Sequence, residues 1–480
     1  MNGNATALSQ PHGGTSLFWL AAQGVLIAAA IGLFLLIRGY GENLTAPAPE
    51  ATAPAPPGMG VEGGQAVLHV LLALAAVVIA GLIVGRLFVY LGQPPVVGEV
   101  VAGICLGPSL LGRLAPGVSA YLLPPSVAPL LGVIAQLGVI LYMFLVGLEL
   151  NAGLLRGRAR SAVAISNASI IVPFLLGTGL ALGLYSHLSH SDVPFTSFAL
   201  FLGVAMSITA FPVLARILTD RRIHKTPLGI MALSCAATND VTAWCLLAFV
   251  VGVAQAKVGG AFLVIGLALA YIAFMFLVVR PVAVRLLAGV TEARFTRSVA
   301  GVVLVALLLS ALATEAIGVH AIFGAFLLGA VIPHDSAVAR AFTHRLEDLV
   351  TVLLLPAFFA FTGMRTEIGL VSGLDQWLIC GLIILVATAG KFGGTLVAGR
   401  LTGQGWRESA ALGILMNTRG LMELIVLSIG LDLGVISPAL FAMMVLMALI
   451  TTLATTPILS LLVPDLIRRP DNYSSRAMVG

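Results

Sequence analysis

Charged residues are scarce in this sequence. Asp, Glu, Lys and Arg make up 9% of its 480 residues, whereas hydrophobic residues make up 59%. A soluble globular domain carries about 25% charged residues. The scarcity of charge therefore excludes an ordinary soluble domain and predicts a polytopic membrane protein. The net charge of +5 comes from basic residues in the loops, so it predicts no nucleic-acid partner.

The sequence also lacks the patterns of metal-binding and disulfide-bonded proteins. Its eight histidines are dispersed, and its four cysteines, Cys105, Cys235, Cys245 and Cys380, lie singly within apolar segments. These cysteines are best interpreted as small packing residues. No nucleophile and base occur together within an apolar segment. The sequence therefore predicts no metal site, no cofactor and no enzymatic activity.

Long apolar runs are abundant, and each is long enough or nearly long enough to cross a bilayer. Residues 17–37 form the first run, and a cleaved signal sequence is the alternative interpretation of this leader. Thirteen further spans are predicted: 66–90, 93–112, 126–149, 158–185, 195–219, 226–254, 260–281, 297–315, 318–333, 345–364, 376–399, 406–430 and 437–462. The predicted fold is thus an all-α membrane protein with thirteen core helices and one N-terminal helix.

Composition and loop charges predict the order of regions and the topology. We predict an N-terminal transmembrane helix in 1–45, a Pro- and Ala-rich linker at 46–65, a membrane domain at 66–466 and a short cytoplasmic tail at 467–480. If every span crosses once from a cytoplasmic N-terminus, most of the 25 Lys and Arg residues lie in cytoplasmic loops. This asymmetry follows the positive-inside rule. Both termini are therefore predicted to be cytoplasmic.

Asp240 is the most informative single residue of the sequence. It lies near the middle of the predicted span 226–254, where a charge costs several kcal/mol, so acids at such a depth are rare and usually functional. Pro212 interrupts the preceding span and is expected to break its helix. Desolvation favours the neutral form of a carboxylic acid, so protons and cations would compete for Asp240. The alternative is an acid paired permanently with a buried base.

A weak internal repeat relates the two halves of the chain. The stretch FLVGLELNAGLL at 144–155 resembles FAFTGMRTEIGL at 359–370, and the predicted topology places these two stretches in opposite directions. The same pairing matches the interrupted span 195–219 with the span 406–430. Antiparallel halves that each contain an interrupted helix are the pattern of inverted-repeat transporters, whose substrate site lies where the interruptions meet.

Several polar residues near Asp240 are candidate site residues. Asn239 is predicted to be a neutral hydrogen-bonding partner that orients Asp240. Lys391 is expected either to compensate the charge of Asp240 or to hold the backbone at the helix break. The alternative is a lysine without a role at the site, whose side chain snorkels to the membrane interface. Thr209 lies at the break, where its hydroxyl could bind a cation or bond back to its own helix.

Arg419 and Glu423 form a second group of candidate residues. They lie four residues apart, on one face of the predicted helix. The sequence leaves two roles open for them. They either neutralise each other or act directly in compensating charge at the site.

Six ordered stretches resemble one family of transport proteins. They are MSITAFPVLARILTD (206–220), AATNDVTAWCLLAF (236–249), IGVHAIFGAFLLGAVIP (317–333), LEDLVTVLLLPAFFAFTGMRTEI (346–368), ATAGKFGGT (387–395) and MNTRGLMELIVLSIG (416–430). Together they resemble the second family of monovalent cation:proton antiporters, and in particular its plant cation/proton exchanger branch. The resemblance covers about 66–465 and implies a sodium/proton antiporter-like fold with two crossed discontinuous helices. It also implies a homodimer, elevator-type alternating access and a bacterial inner or cell membrane location.

The resemblance implies a function and assigns three residues to it. The family's ion-binding aspartate falls on Asp240, its core lysine on Lys391 and its crossover threonine on Thr209. Electrogenic members carry two adjacent aspartates, whereas here the first of the two positions is Asn239. The expected function is therefore electroneutral exchange of potassium or sodium for protons across the lipid bilayer. The alternative is an ion channel or ion-gated sensor with the same fold.

Overall fold

A computed structural model describes residues 14–47, 63–124, 126–149, 159–224, 226–255, 261–287 and 296–464. The regular elements within these ranges are all helical. The α-helices are α1 (Gly14–Gly41), α2 (Gly63–Tyr90), α3 (Pro95–Leu106), α4 (Leu111–Leu114), α5 (Pro116–Leu122), α6 (Ala128–Glu149), α7 (Ala159–Leu188), α8 (Phe195–Ser207), α9 (Phe211–Asp220), α10 (Pro227–Gln255), α11 (Ala261–Phe274), α12 (Arg280–Leu287), α13 (Arg297–Ile317), α14 (Ala321–Val331), α15 (Ala337–Leu349), α16 (Leu355–Met364), α17 (Gly373–Leu401), α18 (Trp406–Met416), α19 (Leu421–Asp432) and α20 (Pro438–Leu462).

The prediction of an all-helical polytopic membrane protein is confirmed. In the described part of the chain, twelve helical segments are long and apolar enough to cross a membrane. The pair α18 and α19 meets the same criterion together and is bent by 43°. The remaining predicted span corresponds to α14, a shorter apolar helix. Most of the predicted linker, at 48–62, and the tail from 467 lie outside the described residues.

The long helices form two groups that pack mainly among themselves. We call α7–α10 with α17–α20 the interrupted bundle, because it contains the broken helices α8–α9 and α18–α19. We call α2–α6 with α13–α16 the companion bundle. Each bundle takes helices from both halves of the chain, as an inverted repeat requires. In the companion bundle Gly147 of α6 and Gly329 of α14 lack side chains where the two backbones touch, and a Cβ at either position would collide with the other helix.

The N-terminal helix α1 packs against α7 and α8 of the interrupted bundle. Its less exposed residues recur every three or four positions, which is the spacing of one helical face, and they include Gln23 and Phe34. Asn167 Nδ2 of α7 donates a hydrogen bond of 2.8 Å to Gln23 Oε1. The rings of Phe34 and Phe174 lie 6.1 Å apart. Several apolar side chains on the other face of α1 are exposed, among them Val25, Ile31 and Leu36, and lipid would cover them.

Loop contacts agree with spans that cross in alternate directions. Ser191 N–H donates to the Pro47 carbonyl at 3.0 Å, and Ser109 Oγ donates to the Thr366 carbonyl at 2.7 Å. Each of these contacts joins loops that the topology places on the outer side. The absolute orientation of the chain in the membrane stays a prediction.

Candidate functional site

The two helix interruptions meet inside the interrupted bundle. Between α8 and α9, Ala210 N–H donates a hydrogen bond of 3.0 Å to the Thr418 carbonyl in the break between α18 and α19. Thr209 Oγ1 donates one of 2.9 Å to the Met416 carbonyl at the end of α18. Each break therefore satisfies backbone groups of the other, which an apolar interior requires. The Thr209 hydroxyl thus bonds to the opposite broken helix rather than back to its own.

Proline and glycine shape the two breaks. The first break precedes Pro212, which sits in the first turn of α9, where its missing N–H costs nothing. At the second break Gly420 has φ +158° and ψ −130°, a region open almost only to glycine. A Cβ there would also lie 2.9 Å from Val213 Cγ2 of α9. The proline ends one break, and the glycine permits the other.

Asp240 lies on α10 beside the first break. Its side chain is buried, with 4% of the residue exposed. The backbone N–H of Phe211, at the start of α9, lies near the carboxylate and interacts with it. Its Oδ1 has no hydrogen-bond partner among the described residues. The acid therefore faces the positive end of the α9 dipole and keeps one oxygen available.

A small cavity borders Asp240. Its volume is about 10 Å³, which is room for about one water molecule. The cavity is lined by Ile208, Asp240, Ala243, Trp244, Leu247, Met422 and Val426. The cavity can thus hold one water molecule or ion of similar size next to the carboxylate, and most of the residues that line it are apolar.

Lys391 is fully buried on α17 and points at the end of α8. Its Nζ donates to the Ser207 carbonyl, which lost its own helical partner at the break. No ion pair joins Lys391 to Asp240 in the described part of the chain, although the two charges interact at longer range. The lysine therefore bonds directly to the backbone of the helix break. It does not snorkel to an interface.

Arg419 and Glu423 form a fully buried ion pair of 2.8 Å. Arg419 also reaches across to α8, where it donates to the Ala205 carbonyl at 3.1 Å and to the Met206 carbonyl at 2.9 Å. Cations thus surround the negative C-terminal end of α8, and Glu423 occupies the first turn of α19 near that helix's positive end. The two side chains thus pair with each other, and Arg419 also bonds to the exposed carbonyls at the end of α8.

Asn239 does not orient Asp240, which differs from the sequence expectation. Its Oδ1 accepts a hydrogen bond of 3.2 Å from Thr209 N–H, and its Nδ2 donates one of 3.1 Å to Ser169 Oγ. Neighbouring helical residues point about 100° apart, so the two side chains face different elements. Asn239 therefore fixes the first break to α7, and its amide oxygen is already engaged.

Sequence reasoning missed several polar groups that support the breaks. Ser169 Oγ accepts a hydrogen bond from the Asn239 amide. Thr452 Oγ1 of α20 accepts one of 2.9 Å from the Arg419 N–H and donates one of 2.8 Å to the Arg419 carbonyl. Serine and threonine are common in apolar helices, where they bond to their own backbone. The sequence therefore did not distinguish Ser169 and Thr452 from the other serines and threonines in the spans.

The comparisons with known proteins show the family. The transmembrane sodium/hydrogen exchanger family matches residues 66–463. The chain belongs to this family of membrane transport proteins. The resemblance drawn from the six sequence stretches is thereby confirmed.

Relatives share much of the sequence but differ in total length. The Na(+)/H(+) antiporter NhaS4 of Synechocystis sp. is 44% identical over 393 residues, which are 81% of this chain and 96% of that protein. Cation/H(+) antiporter 20 of Arabidopsis thaliana is 41% identical over 77% of this chain and 46% of that protein. K(+)/H(+) antiporter 1 of Saccharomyces cerevisiae is 34% identical over 79% of this chain and 45% of that protein. This chain spans about half the length of these plant and yeast relatives.

A solved structure shares the fold. The sodium proton antiporter MjNhaP1 from Methanocaldococcus jannaschii at pH 8 superposes with a TM-score of 0.61 and 16% sequence identity. The superposition covers 83% of this chain and 99% of that chain. The sodium/proton antiporter-like fold predicted from the sequence is therefore confirmed.

Proposed function

We propose that this protein exchanges a monovalent cation, potassium or sodium, for protons, and that Asp240 binds both. The observation that carries the proposal is a buried carboxylate with a free oxygen at the meeting point of two broken helices. A carboxylate that lacks a base within bonding distance can hold a cation when ionised and a proton when neutral. The remaining polar groups, Thr209, Asn239, Lys391 and Arg419, hold the breaks in place around it.

Coupling follows from the cost of a bare charge. An unoccupied carboxylate is too expensive to carry past an apolar barrier, whereas an occupied one is neutral. The interrupted bundle would therefore move Asp240 from access on one side of the membrane to access on the other only when Asp240 carries a proton or a cation. Each cycle then moves a cation one way and a proton the other. This rule makes the protein a carrier in which neither flux proceeds alone.

The proposal covers both potassium and sodium as the transported cation. The names of the relatives point to both, since one is called a Na(+)/H(+) antiporter and another a K(+)/H(+) antiporter. Selection between the two ions depends on ligand number and distances at the occupied site. Dequenching of a pH-sensitive dye in everted vesicles, titrated separately with potassium, sodium and lithium, measures the preference.

Asp240→Asn tests the site assignment. The amide cannot release a proton to make room for a cation, so we expect exchange to be lost while the protein inserts and purifies normally. The dye assay in proteoliposomes measures exchange, and size-exclusion elution measures folding. Exchange that persists in a folded Asp240→Asn protein would overturn the assignment.

We further propose one cation per proton, so that transport is electroneutral. Asn239 occupies the position next to Asp240 and cannot titrate, which leaves one acid at this position. We expect the exchange rate in proteoliposomes to stay the same when a thiocyanate gradient imposes a membrane potential of either sign at fixed potassium and sodium concentrations. A rate that follows the potential would show that more than one charge of one kind moves per cycle.

The homodimer implied by the family resemblance also stays a proposal. The helices α2 and α13 of the companion bundle expose several apolar side chains, including Leu71, Leu82, Val302 and Leu309. In a membrane such a face contacts either lipid or a second copy.

A further inference from the structure

An ion pair joins the two bundles at the outer end of the molecule. Arg365 follows the last residue of α16 in the companion bundle, and Asp432 is the last residue of α19 in the interrupted bundle. Their side chains approach to 2.7 Å between Arg365 Nη2 and Asp432 Oδ1. The Arg365 side chain is 28% exposed and that of Asp432 is 58% exposed. The pair therefore sits at a boundary between solvent and protein.

The pair lies at a cavity between the bundles. The cavity has a volume of about 270 Å³. Gln136, His320 and Arg365 line it from the companion bundle, and Ile425, Ser428 and Asp432 line it from α19. Among the described residues, it shares no lining residue with the small cavity beside Asp240. The two cavities approach each other along α19, since Ile425 lines the outer cavity and Val426 lines the cavity beside Asp240.

Arg365 is held on the companion side. Its guanidinium carbon lies 5.4 Å from the centre of the Phe361 ring, one turn earlier on α16, which is within the range of a cation–π interaction. Asp432 ends the helix that also carries Met422 and Val426 of the Asp240 cavity. A movement of the interrupted bundle would therefore pull Asp432 away from a fixed Arg365.

We propose that Arg365 and Asp432 are positioning residues that form an outer clasp. The clasp holds α19 against α16 and stabilises the arrangement in which the outer cavity is closed off from Asp240. This inference rests on the proposed function, because alternating access requires the two bundles to move relative to each other. Neither residue touches the transported ion in this arrangement.

The size of the effect follows from exposure. A partly exposed ion pair contributes at most a modest free energy, which corresponds to a change of about two- to five-fold in the ratio of closed to open arrangements. The clasp therefore biases the equilibrium and does not lock it, as a turnover cycle requires.

Thiol labelling of Ser428→Cys measures opening of the outer cavity without any transport. Ser428 is 8% exposed, so a cysteine there reacts slowly while the cavity stays closed. The four native cysteines are first replaced, and the protein is labelled in detergent with a charged methanethiosulfonate reagent. We expect Arg365→Ala and Asp432→Ala each to raise the labelling rate about two- to five-fold. We expect the double variant to match the single ones, because both remove one interaction.

A matched control removes a different exposed pair. Arg38 Nε and Glu42 Oε1 of the α1 end also lie 2.7 Å apart, but they do not join the bundles. Arg38→Ala should leave the labelling rate of Ser428→Cys unchanged. Unchanged rates in Arg365→Ala and Asp432→Ala, or additive effects in the double variant, would overturn the clasp.

Reversible cross-linking then connects the clasp to exchange. Arg365→Cys and Asp432→Cys are joined by a short bifunctional methanethiosulfonate reagent, and exchange is measured before linking, after linking and after reduction. We expect linking to stop exchange and reduction to restore it. The control pair is Glu42→Cys, just after α1, and Thr196→Cys, in α8, whose native side chains lie 3.2 Å apart. This pair should tolerate linking.

The outcomes separate the clasp from the function itself. Exchange that continues after complete linking of positions 365 and 432 would overturn the clasp while leaving antiport intact. Absence of exchange in the unlinked protein and in the wild type would instead count against the proposed function. The labelling rates of Ser428→Cys test the clasp in either case.

Discussion

At the scale of single residues, the site combines a buried acid that keeps one oxygen free with buried bases that bond to the broken backbone. Asp240 keeps an oxygen without a partner, whereas Lys391 and Arg419 donate to carbonyls that the first break exposes. A buried cation is expensive unless hydrogen-bond acceptors and opposite charges offset its desolvation. Carbonyls at the end of α8 accept from Lys391 Nζ and from both Nη atoms of Arg419, so the bases bond to the backbone and leave the acid unpaired.

The role of Lys391 can be separated from simple charge balance. Lys391→Met leaves the Ser207 carbonyl without its donor, and we expect the free energy of unfolding to fall by about 1–3 kcal/mol. If Lys391 served mainly to neutralise Asp240, adding Asp240→Asn would restore stability. We expect the double variant to remain as unstable as Lys391→Met alone. Thermal unfolding of the detergent-solubilised proteins, with Asp240→Asn alone as control, gives the comparison.

At the scale of elements, the broken helices are stabilised by each other and by their neighbours. The Ala210 N–H and the Thr209 hydroxyl supply donors to α18 and to the second break, while Asn239 ties the first break to α7. The C-terminal end of α8 faces cations, and the N-terminal end of α9 faces Asp240. The interrupted helices thus place the ends of their backbone dipoles beside the buried charges.

Gly420→Ala tests how far the second break depends on glycine. At φ +158° an alanine is strained, and its Cβ would press on Val213. We expect a loss of about 1–3 kcal/mol in the free energy of unfolding and a matching loss of exchange. Gly393→Ala is the control, because a Cβ at Gly393 in α17 meets nothing within 4 Å. A gain of about 0.5–1 kcal/mol is expected there, and equal effects at the two positions would refute this account of the break.

At the scale of the whole molecule, polar bonds join the two bundles at separate points along their interface. Arg365 bonds to Asp432 near the outer end, and Gln93 Nε2 donates a longer bond of 3.3 Å to the Leu453 carbonyl elsewhere along the interface. The helix α1 belongs by its contacts to the interrupted bundle. Movement of one bundle past the other would therefore carry α1 with it.

The orientation of the molecule is testable by sided labelling. The positive-inside rule places Ser191 outside and Gln404 inside the cell. In a variant without native cysteines, an impermeant maleimide should label Ser191→Cys in intact cells and Gln404→Cys only after the membrane is disrupted. The reverse pattern would mean that the chain is inserted with the opposite orientation.

The membrane class, the spans and the position of the acid follow from the sequence alone. Apolar runs of about 20 residues and one carboxylate at mid-span are local properties, because the bilayer acts on each segment separately. The six matching stretches around Asp240, Lys391 and Arg419 also carried the family. These features can be predicted without knowing which helices contact each other.

Only the tertiary structure decided what each polar side chain bonds to. Asn239 was expected beside Asp240 and instead holds Thr209 and Ser169, while the ion pair of Arg365 and Asp432 joins residues 67 positions apart in the chain. Hydrogen bonds and ion pairs form between atoms within about 3 Å of each other. Such distances are set by how whole helices pack. The order of residues along one helix does not say which residues of another helix it will contact.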